Sequence, residues 1–434
     1  MKKKEYKKKS TSSNGDNIIF SDLDKHFMIN SLMDTDLYKF TMQQLVFNWF
    51  SDKIVEYEFK MRNYPKGTLN PLKSEIDRQI DRLCRLKFRK RELEYLSKIR
   101  FFKPSYLEYL RTFQLNRNYI KTWIDKKGEF QITIKGPWVN VILFETPVLA
   151  IVSEVFTRYS LGKEYKVSEE RQRGRTRLRK KIALIKKYND EVRPASQYIK
   201  IVDFGTRRRF SREWHETVVQ ILKKRLPYNF VGTSNVWLAM KYDLRPIGTM
   251  AHEFIQATQS LTRLVDSQKY AFDIWSREYR GDLGIALSDC LGFDAFLKDF
   301  DMYFCKLFDG ARHDSGDPIE WGNRLIDHYK SMGIDPSTKT AVFSDGLDFQ
   351  KAVDIHREFS NGITSPRIKC SFGIGTNITN DTGFKAPQIV IKMTECNGQP
   401  VAKISDSKGK MMCKDSHYLK HLAKTFNIKT VWRE

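Results

Sequence analysis

Residues 199–206 read IKIVDFGT, a short apolar run of strand type that ends in a polar turn containing glycine. Similar runs follow over about 200 residues, in NFVGTSN (229–235), PIGTM (246–250), GIALSDC (284–290), ARHDSGD (311–317), TAVFSDG (340–346), KCSFGIGT (369–376) and IVIKMTEC (389–396). A helical pattern usually follows each run, which is typical of parallel strands joined by crossover helices. The sequence therefore predicts an α/β fold whose second half is an irregular (β/α) barrel.

The polar clusters of these runs lie at the C-terminal ends of the predicted strands. A (β/α) barrel carries its chemistry in the loops at that end, whereas ordinary turns would show no such bias. We therefore expect a functional site where these clusters meet.

Two clusters contain residues suited to phosphate. DFGTRRRFS (203–211) places three arginines after a strand, and guanidinium groups fit phosphate and carboxylate oxygens, although three consecutive side chains cannot all face one way. GIGT (373–376) has two glycines, which let backbone N–H groups approach a phosphate closely. Ordinary helix starts and tight turns use the same residues, so both interpretations stay open on these motifs alone.

Other clusters supply acids and a histidine. RHDSGD (312–317), SDGLD (344–348) and LSDC around Asp289 could bind Mg²⁺ or orient ribose hydroxyls, although capped turns look alike. His252 in GTMAHEF could be a base, a metal ligand or a phosphoryl acceptor, although a lone histidine is more often structural. Gln256 stands where a zinc protease needs its second histidine, and the phosphate-binding P-loop and dinucleotide-binding patterns are absent from the sequence.

The remaining patterns divide the chain. We predict helices over Asp34–Phe50 (capped by Asp34 or Thr35), Ser74–Ile99 and Pro147–Tyr159, and strands over Val55–Met61 and Phe130–Ile134. The predicted segments are a disordered basic tail (1–25), an N-terminal α/β domain (26–150), a helical basic connector (151–198), a barrel-like catalytic domain (199–396) and a C-terminal segment (397–434).

The chain is strongly basic, with 76 lysines and arginines against 52 acids and a net charge of +24. Such a charge fits nucleic acid, an anionic membrane or small anionic substrates. Part of it lies in two runs, residues 1–17 and 171–187, which we interpret as solvated surface. Apart from Tyr6, these runs lack interleaved aromatic residues, and no nucleic-acid-binding motif occurs. The sequence therefore favours small anionic substrates over nucleic acid.

Cysteine usage and hydropathy indicate the compartment. The six cysteines are scattered without a C-x-x-C pair, which is typical of reduced cytosolic thiols. No apolar segment follows the basic N-terminus, and the most apolar stretch, Trp138–Phe156, is interrupted by Glu145, Pro147 and Glu154. We expect a soluble cytoplasmic protein without a membrane span.

Each motif alone is a weak indication of function, but the ordered set of motifs is far more specific. In order from about Ile29 onward, the chain closely resembles the bacterial nicotinate phosphoribosyltransferase family in MDTDLYKFTMQQ, DFGTRRRFSRE, VGTSN, GTMAHEF, LGIALSDC, RHDSGDPIEWG, VFSDGLD, SFGIGT and VIKMTECNGQPVAKISDS. The lysine-rich tail lies outside this resemblance, and the basic stretch Arg171–Lys187 diverges from it in composition.

The resemblance implies a reaction. It is the ATP-dependent transfer of phosphoribosyl from 5-phosphoribosyl 1-diphosphate to nicotinate, giving nicotinate mononucleotide and diphosphate in NAD salvage, through a phosphohistidine. Mg²⁺ and ATP are the implied cofactor and co-substrate. The resemblance also implies a homodimer with active sites near the subunit interface, and a C-terminal segment that returns to the N-terminal domain.

The resemblance places nicotinate against Tyr38, Thr249, Arg312 and Ser234, with Tyr38 stacked on the ring and Arg312 facing the carboxylate. Related enzymes that use nicotinamide carry an aspartate at the position of Ser234. An aspartate would accept the amide N–H but repel a carboxylate, so Ser234 favours nicotinate.

The remaining implied residues serve the donor and ATP. Matching positions near the donor are Arg207, Arg208, Gly373, Gly375 and Thr376, and His252 matches the histidine that ATP phosphorylates. Of the acids at strand ends, Asp289 is our candidate for a catalytic role and Asp345 for donor binding; which of Asp289, Asp314 and Asp345 bind Mg²⁺ stays open. His313 receives no role. The alternatives are a phosphoribosyltransferase for nicotinamide or quinolinate, and a basic nucleic-acid-binding protein with an enzyme-like fold.

Overall fold

The computed structural model describes residues 27–162, 164–192, 194–360, 367–404 and 412–428. The predicted disordered tail, residues 1–25, lies outside the described residues. The strands are β1 (Ile54–Met61), β2 (Ile120–Ile124), β3 (Phe130–Pro137), β4 (Lys200–Asp203), β5 (Phe230–Thr233), β6 (Ile285–Leu287), β7 (Gly310–His313), β8 (Thr340–Phe343), β9 (Lys369–Ile374), β10 (Ile389–Cys396) and β11 (Gln399–Pro400).

The helices of the first half are α1 (Leu37–Trp49), α2 (Lys73–Leu83), α3 (Lys90–Ser97), α4 (Pro104–Thr112), α5 (Trp138–Val141), α6 (Glu145–Leu161) and α7 (Glu164–Glu191). Those of the second half are α8 (Arg212–Arg225), α9 (Val236–Lys241), α10 (His252–Thr258), α11 (Ser267–Tyr279), α12 (Phe293–Asp299), α13 (Met302–Leu307), α14 (Pro318–Ser331), α15 (Phe349–Ser360), α16 (Thr376–Thr379) and α17 (Ser416–Thr425).

Six strands form the parallel sheet of the second half, in the order β5-β4-β9-β8-β7-β6. The segment around residues 245–249 spans the gap between its two edge strands. Ile247 N donates to Thr233 O at 2.9 Å on the β5 side, and Thr249 Oγ1 donates to Ile285 O at 2.9 Å on the β6 side. The α/β class and the irregular barrel are therefore confirmed.

The expectation of eight parallel strands is wrong for two of the runs. PIGTM makes only an isolated parallel bridge, between Pro246 and Thr233, because proline has no N–H to extend a ladder. IVIKMTEC is β10, which pairs antiparallel with β1 in a second sheet of order β11-β10-β1-β3-β2. Its buried and part-buried residues largely alternate, as in a strand with one face on a core.

The boundaries of the predicted domains stay a prediction, but the path of the chain after β9 is described by the structure. After β9 the chain returns to the first sheet through β10, and α17 then packs back on the second half. Leu422 of α17 shares a small apolar cluster with Leu291 and Ala295, while Lys414 pairs with Glu56 of β1. The segment after β10 therefore contacts both parts.

Helix α1 is almost wholly buried, and its start departs from the prediction. Asp36, rather than Asp34 or Thr35, occupies the cap position, and its side chain makes no capping bond. The predicted helix over 74–99 is also interrupted, into α2 and α3. Phe88 in the break packs edge-on against Phe40 of α1, with ring centroids 5.9 Å apart. Tertiary packing thus overrides a helical pattern that lacks glycine or proline.

One helical run in the described residues, Trp138–Leu161, is long and apolar enough to cross a membrane. Of its most apolar window, 94% is buried inside the protein, as expected for a core helix.

Gly310 at the start of β7 tests the packing of the parallel sheet. A Cβ here would lie 1.8 Å from Thr340 O, a backbone atom of β8 that cannot move without separating the strands. We expect Gly310→Ala to lower the free energy of unfolding by about 3 kcal/mol or more, measured by urea denaturation. Gly333→Ala is the control, because its Cβ meets nothing within 4 Å and only its φ of +66° is unfavourable. It should cost about 1–2 kcal/mol, and equal losses in the two variants would contradict this account.

Candidate active site

The three arginines after β4 separate into different environments. Arg209 is buried, and its guanidinium donates to both carboxylate oxygens of Asp34 at 2.6 and 2.8 Å. The side chain of Arg207 is 46% exposed, whereas Arg208 Nε donates to Ile389 O at 3.0 Å. Arg209 therefore has a structural role, and Arg207 and Arg208 remain for a ligand.

Four side chains meet at the N-terminal end of α1. The guanidinium of Arg207 lies 5.9 Å from the centroid of the Tyr38 ring. Ser234 Oγ donates to Asp36 Oδ1 at 2.7 Å, and burial raises the pKa of Asp36 although Arg207 opposes the shift. The hydroxyl proton of Ser234 therefore points at Asp36, which lies beside Tyr38.

Two further residues predicted to bind the base lie on the barrel. Thr249 Oγ1 donates to Ile285 O, while Thr249 O accepts from Thr41 Oγ1 of α1 at 2.7 Å. Arg312 on β7 has no carboxylate within 4 Å among the residues that the structure describes, and its buried Nε has no hydrogen-bond partner there. A cation without a partner suits the carboxylate of a ligand.

A histidine centre lies at the C-terminal edge of the parallel sheet. His252 begins α10, and Asp289 follows β6. His252 Nε2 lies 2.8 Å from Asp289 Oδ1 and 2.7 Å from Lys403 Nζ. Lys403 also donates to Asp289 Oδ2 at 2.6 Å. His252, Asp289 and Lys403 therefore form a closed triangle of contacts.

The protonation states follow from this enclosure. Burial and the nearby Lys403 lower the pKa of His252, so the imidazole is neutral at pH 7. Burial favours the neutral acid at Asp289, but Lys403 and His252 hold its pKa well below the ordinary value. Burial likewise opposes charge on Lys403, yet Asp289 raises its pKa. The centre thus combines a neutral imidazole with a carboxylate and an ammonium.

The spacing of His252, Asp289 and Asp314 would also suit a metal, since their ligand atoms lie within 4.8 Å of one another. The Lys403 ammonium already contacts His252 and Asp289, so a metal bound by these two would face a like charge. Asp314 is different because its side chain is 28% exposed, against 2% for Asp289. Of these acids, Asp314 best fits an Mg²⁺ that arrives with a phosphorylated substrate.

Cations crowd the approach to this centre. Burial, Lys403 and Arg62 lower the pKa of Lys392 on β10 to about 7. Burial, Arg207 and Arg62 lower the pKa of Arg208 to about 10. These two pKa values are depressed first by burial and then by the neighbouring like charges. A bound diphosphate would relieve this repulsion.

The GIGT loop joins β9 to the single helical turn α16. Gly373 has no room for a side chain, because a Cβ would lie 2.2 Å from the Phe204 ring. Thr379 Oγ1 at the end of α16 donates to Gly205 O at 2.7 Å. The loop after β9 is therefore fastened to the turn after β4, which carries the arginines.

The other predicted donor residues lie around this loop. Gly375 and Thr376 are partly exposed at the start of α16, and Asp345 is partly exposed in the loop after β8. Ser344, the neighbour of Asp345, donates to Asp314 Oδ1 at 3.0 Å. The loops after β8 and β7 are thus coupled.

A buried ion triplet lies behind the site. Lys39 Nζ lies 2.5 Å from Glu145 Oε2 and 2.6 Å from Glu253 Oε2, and its side chain has no exposed surface. Glu145 also lies 3.5 Å from Arg207. Burial and Glu145 raise the pKa of Glu253 to about 7, although Lys39 opposes the shift. Lys39 and Glu253 are the chain neighbours of Tyr38 and His252.

The motifs did not identify every residue of the site. Lys403 and Lys392 lie within VIKMTECNGQPVAKISDS, but neither ends a predicted parallel strand, so no position-based signal singled them out. Asp36 was present in MDTDLYK and could have been suspected as a buried acid beside Tyr38. His313, which received no role, is buried with its ring 5.4 Å from that of Trp321.

Fold and site together define a class: an enzyme that handles phosphorylated substrates at the strand ends of an irregular (β/α) barrel. Comparison with known proteins narrows this class. The family described as "Nicotinate phosphoribosyltransferase (NAPRTase) family" matches residues 199–430, and its N-terminal domain matches residues 33–153. The chain belongs to the nicotinate phosphoribosyltransferase family.

Individual relatives agree along almost the whole chain. The nicotinate phosphoribosyltransferase of Burkholderia mallei is 52% identical over 404 residues, covering 92% of this chain and 97% of its own. That of Acidovorax sp. (strain JS42) is 52% identical over 410 residues, covering 92% and 99%. The crystal structure of the Vibrio cholerae nicotinate phosphoribosyltransferase is similar, with a TM-score of 0.86, 37% identity and coverage of 93% and 95%. That of the Porphyromonas gingivalis enzyme has a TM-score of 0.81, 31% identity and coverage of 92% and 100%.

The buried triplet predicts a large effect of Lys39→Met. The substitution removes the only ammonium that contacts Glu145 and Glu253 in the described part of the chain, leaving two buried carboxylates close together. We expect the free energy of unfolding to fall by about 3–5 kcal/mol, measured by urea denaturation at pH 7. Lys60→Met on the exposed side of β1 is the matched control and should change stability by less than about 0.5 kcal/mol. A loss below about 1 kcal/mol in Lys39→Met would contradict the role given to this ion triplet.

Proposed function

We propose that this enzyme forms nicotinate mononucleotide and diphosphate from nicotinate and 5-phosphoribosyl 1-diphosphate, with coupled ATP hydrolysis through phosphorylated His252. The observation that carries the ATP-coupled step is the neutral His252 imidazole held between Asp289 and Lys403. Family membership supports the transfer itself. The product would enter NAD salvage, and the family resemblance supports a homodimer.

Nicotinate would bind between α1 and the barrel. Tyr38 supplies a face for stacking on the pyridine ring, and Arg312 supplies a guanidinium without a carboxylate partner in the described chain. The backbone oxygen of Thr249 accepts a hydrogen bond from Thr41 of α1, which fixes the barrel segment relative to α1 on the two sides of the proposed nicotinate site. Fixed orientation of the attacking nitrogen contributes to rate because it removes rotational freedom before the reaction.

Phosphorylation of His252 would use Nδ1. Nε2 lies against Asp289 and Lys403, whereas Nδ1 makes no hydrogen bond to any residue that the structure describes and is not buried. In the tautomer whose Nε2 proton is donated to Asp289, Nε2 cannot accept from Lys403, which donates to Asp289 instead. The free Nδ1 lone pair of this tautomer attacks the γ-phosphorus of ATP, and the bond to the ADP oxygen breaks. The imidazole ring becomes positively charged, and Asp289 stabilises that charge.

The transfer step needs cations at the leaving diphosphate. As the bond from C1 to the diphosphate oxygen breaks, the pyridine nitrogen attacks C1 and negative charge accumulates on the diphosphate. Arg207 and Arg208 supply fixed positive charge for that group, and Lys392, whose pKa is about 7, would hold its proton more firmly beside the diphosphate. Mg²⁺, held by Asp314 together with the diphosphate oxygens, would neutralise charge further. The glycine loop before α16 would receive the 5′-phosphate.

The ATP-coupled step predicts the behaviour of His252→Asn. Wild-type enzyme incubated with nicotinate, donor and Mg²⁺ should form more nicotinate mononucleotide when ATP is added, with matching ADP release, measured by mass spectrometry. In His252→Asn, which cannot accept the phosphoryl group, the stimulation by ATP should fall at least about tenfold. His417→Asn on exposed α17 is the control and should behave as wild type. Full ATP stimulation in His252→Asn would exclude the phosphohistidine.

The contact between Ser234 and Asp36 predicts the base specificity of Ser234→Asp. An aspartate here would place a second carboxylate beside Asp36 and repel that of nicotinate. We expect kcat/KM for nicotinate to fall about 10- to 100-fold, and the ratio of nicotinamide to nicotinate turnover to rise. Ser234→Ala removes the same hydrogen bond without adding charge and should change the ratio less than about threefold. An unchanged ratio in Ser234→Asp would show that this position does not select the base. Wild-type turnover of nicotinamide or quinolinate in place of nicotinate would favour those alternatives.

A further inference from the structure

The basic helix α7 is not accounted for by the transfer reaction. Its residues, 164–191, contain ten lysines and arginines against five acids. The helix lies between the two ranges matched by the family, 33–153 and 199–430. Its charge therefore calls for an explanation of its own.

Some cations of α7 hold the helix in place. Arg177 and Lys181 lie 2.5 and 2.7 Å from the carboxylate of Asp381, which follows α16. Arg171 lies 3.2 Å from Glu213 of α8. These cations are paired with acids, and they fasten the helix to the barrel.

The groove between α7 and α8 presents a different set of charges. It encloses about 560 Å³, and no acid lines it. Its floor is apolar, with Leu178 and Ile182 buried. Its walls carry five exposed cations, none of which pairs with a carboxylate in the described parts of the chain: Arg175, Arg179, Lys186, Lys224 and Arg225.

The helical period aligns three of these cations. At 3.6 residues per turn, Arg175, Arg179 and Lys186 fall within an arc of about 40° and span about 16 Å along the axis. Lys224 and Arg225 end α8 on the other side of the groove. The result is a two-sided row of like charges, which repel one another unless an anion lies between them.

We propose that this groove binds the backbone of a single-stranded nucleic acid. A row of cations along a narrow groove matches a linear chain of phosphates. A flat membrane fits less well, because the apolar side chains form the floor of the groove rather than its rim. Tyr228, 71% exposed and three residues beyond Arg225, offers a ring on which a base could stack.

The test compares two variants of the full chain that lose the same charge. The groove variant is Arg175→Gln/Arg179→Gln/Lys186→Gln, and the control variant is Lys87→Gln/Lys98→Gln/Lys126→Gln, at exposed positions outside the groove. Binding of a fluorescent oligouridylate is measured by anisotropy at several salt concentrations. Both variants keep the lysine-rich N-terminus, so any difference between them reports on the groove.

The groove variant should bind at least about tenfold more weakly than wild type at 0.1 M salt, and the slope of log K against log salt should decrease by about 2, which is three lost phosphate contacts at 0.7 each. The control variant should lose less than about threefold. Equal weakening in the two variants, or no binding by the wild type, would overturn the proposal. So would loss of phosphatidylserine vesicle binding with oligouridylate binding unchanged, which would identify a membrane surface. Equal thermal unfolding temperatures confirm that both variants are folded.

Discussion

The buried ammonium of Lys39 is the constraint on which the site depends. An isolated charge at this depth would cost several kcal/mol, so Lys39, Glu145 and Glu253 are each tolerable only because the others are in place. Their contacts of 2.5 and 2.6 Å join α1, α6 and α10. A shift of any one of these helices would separate a buried ion pair, which fixes their relative positions more strictly than apolar packing does.

That constraint reaches the substrate groups through single peptide bonds. Lys39 is bonded to Tyr38, and Glu253 to His252, so the ring proposed to stack on the base and the histidine proposed to accept the phosphoryl group are positioned from the same point. Glu145 extends the network to Arg207, 3.5 Å away. Because Lys39 is shared between two carboxylates, it compensates the buried Glu253 only in part, which is consistent with the pKa of about 7 for that acid. The triplet therefore links the positions of Tyr38, His252 and Arg207.

The pattern of apolar and polar residues along the sequence predicted those elements whose structure depends on neighbouring residues. The strand-and-turn runs predicted β4 to β9, because a parallel strand and its loop are encoded in adjacent residues. The interpretation was wrong for β10, which was predicted as a parallel strand although its residues alternate as in an antiparallel strand with one buried face. It was also wrong at Phe88, where the helix is interrupted by a contact with Phe40, a residue distant in sequence. Within the site, His252 was a candidate from its place at a predicted helix start and from the family resemblance, and Asp289 from its place at a strand end. Lys403 was not, since it is 151 residues from His252 and follows a strand of two residues.

Ion pairing also could not be predicted, because a sequence gives the number of charged residues but not their partners. The three arginines after β4 look equivalent in the sequence, yet Arg209 is paired with the buried Asp34, which leaves Arg207 and Arg208 as the candidates for ligand binding. The basic run in α7 divides in the same way, with Arg177 held by Asp381 and Arg179 without an acid in the described structure. A cation paired with a buried acid contributes little field outside the protein, whereas an unpaired one contributes nearly its full charge to the local potential. The net charge of +24 is a property of the whole chain, so it does not give the local potential. That potential is lower where most cations are paired with acids and higher in the α7–α8 groove, where they are not. Which surfaces attract anions follows from pairing geometry, and composition alone does not determine it.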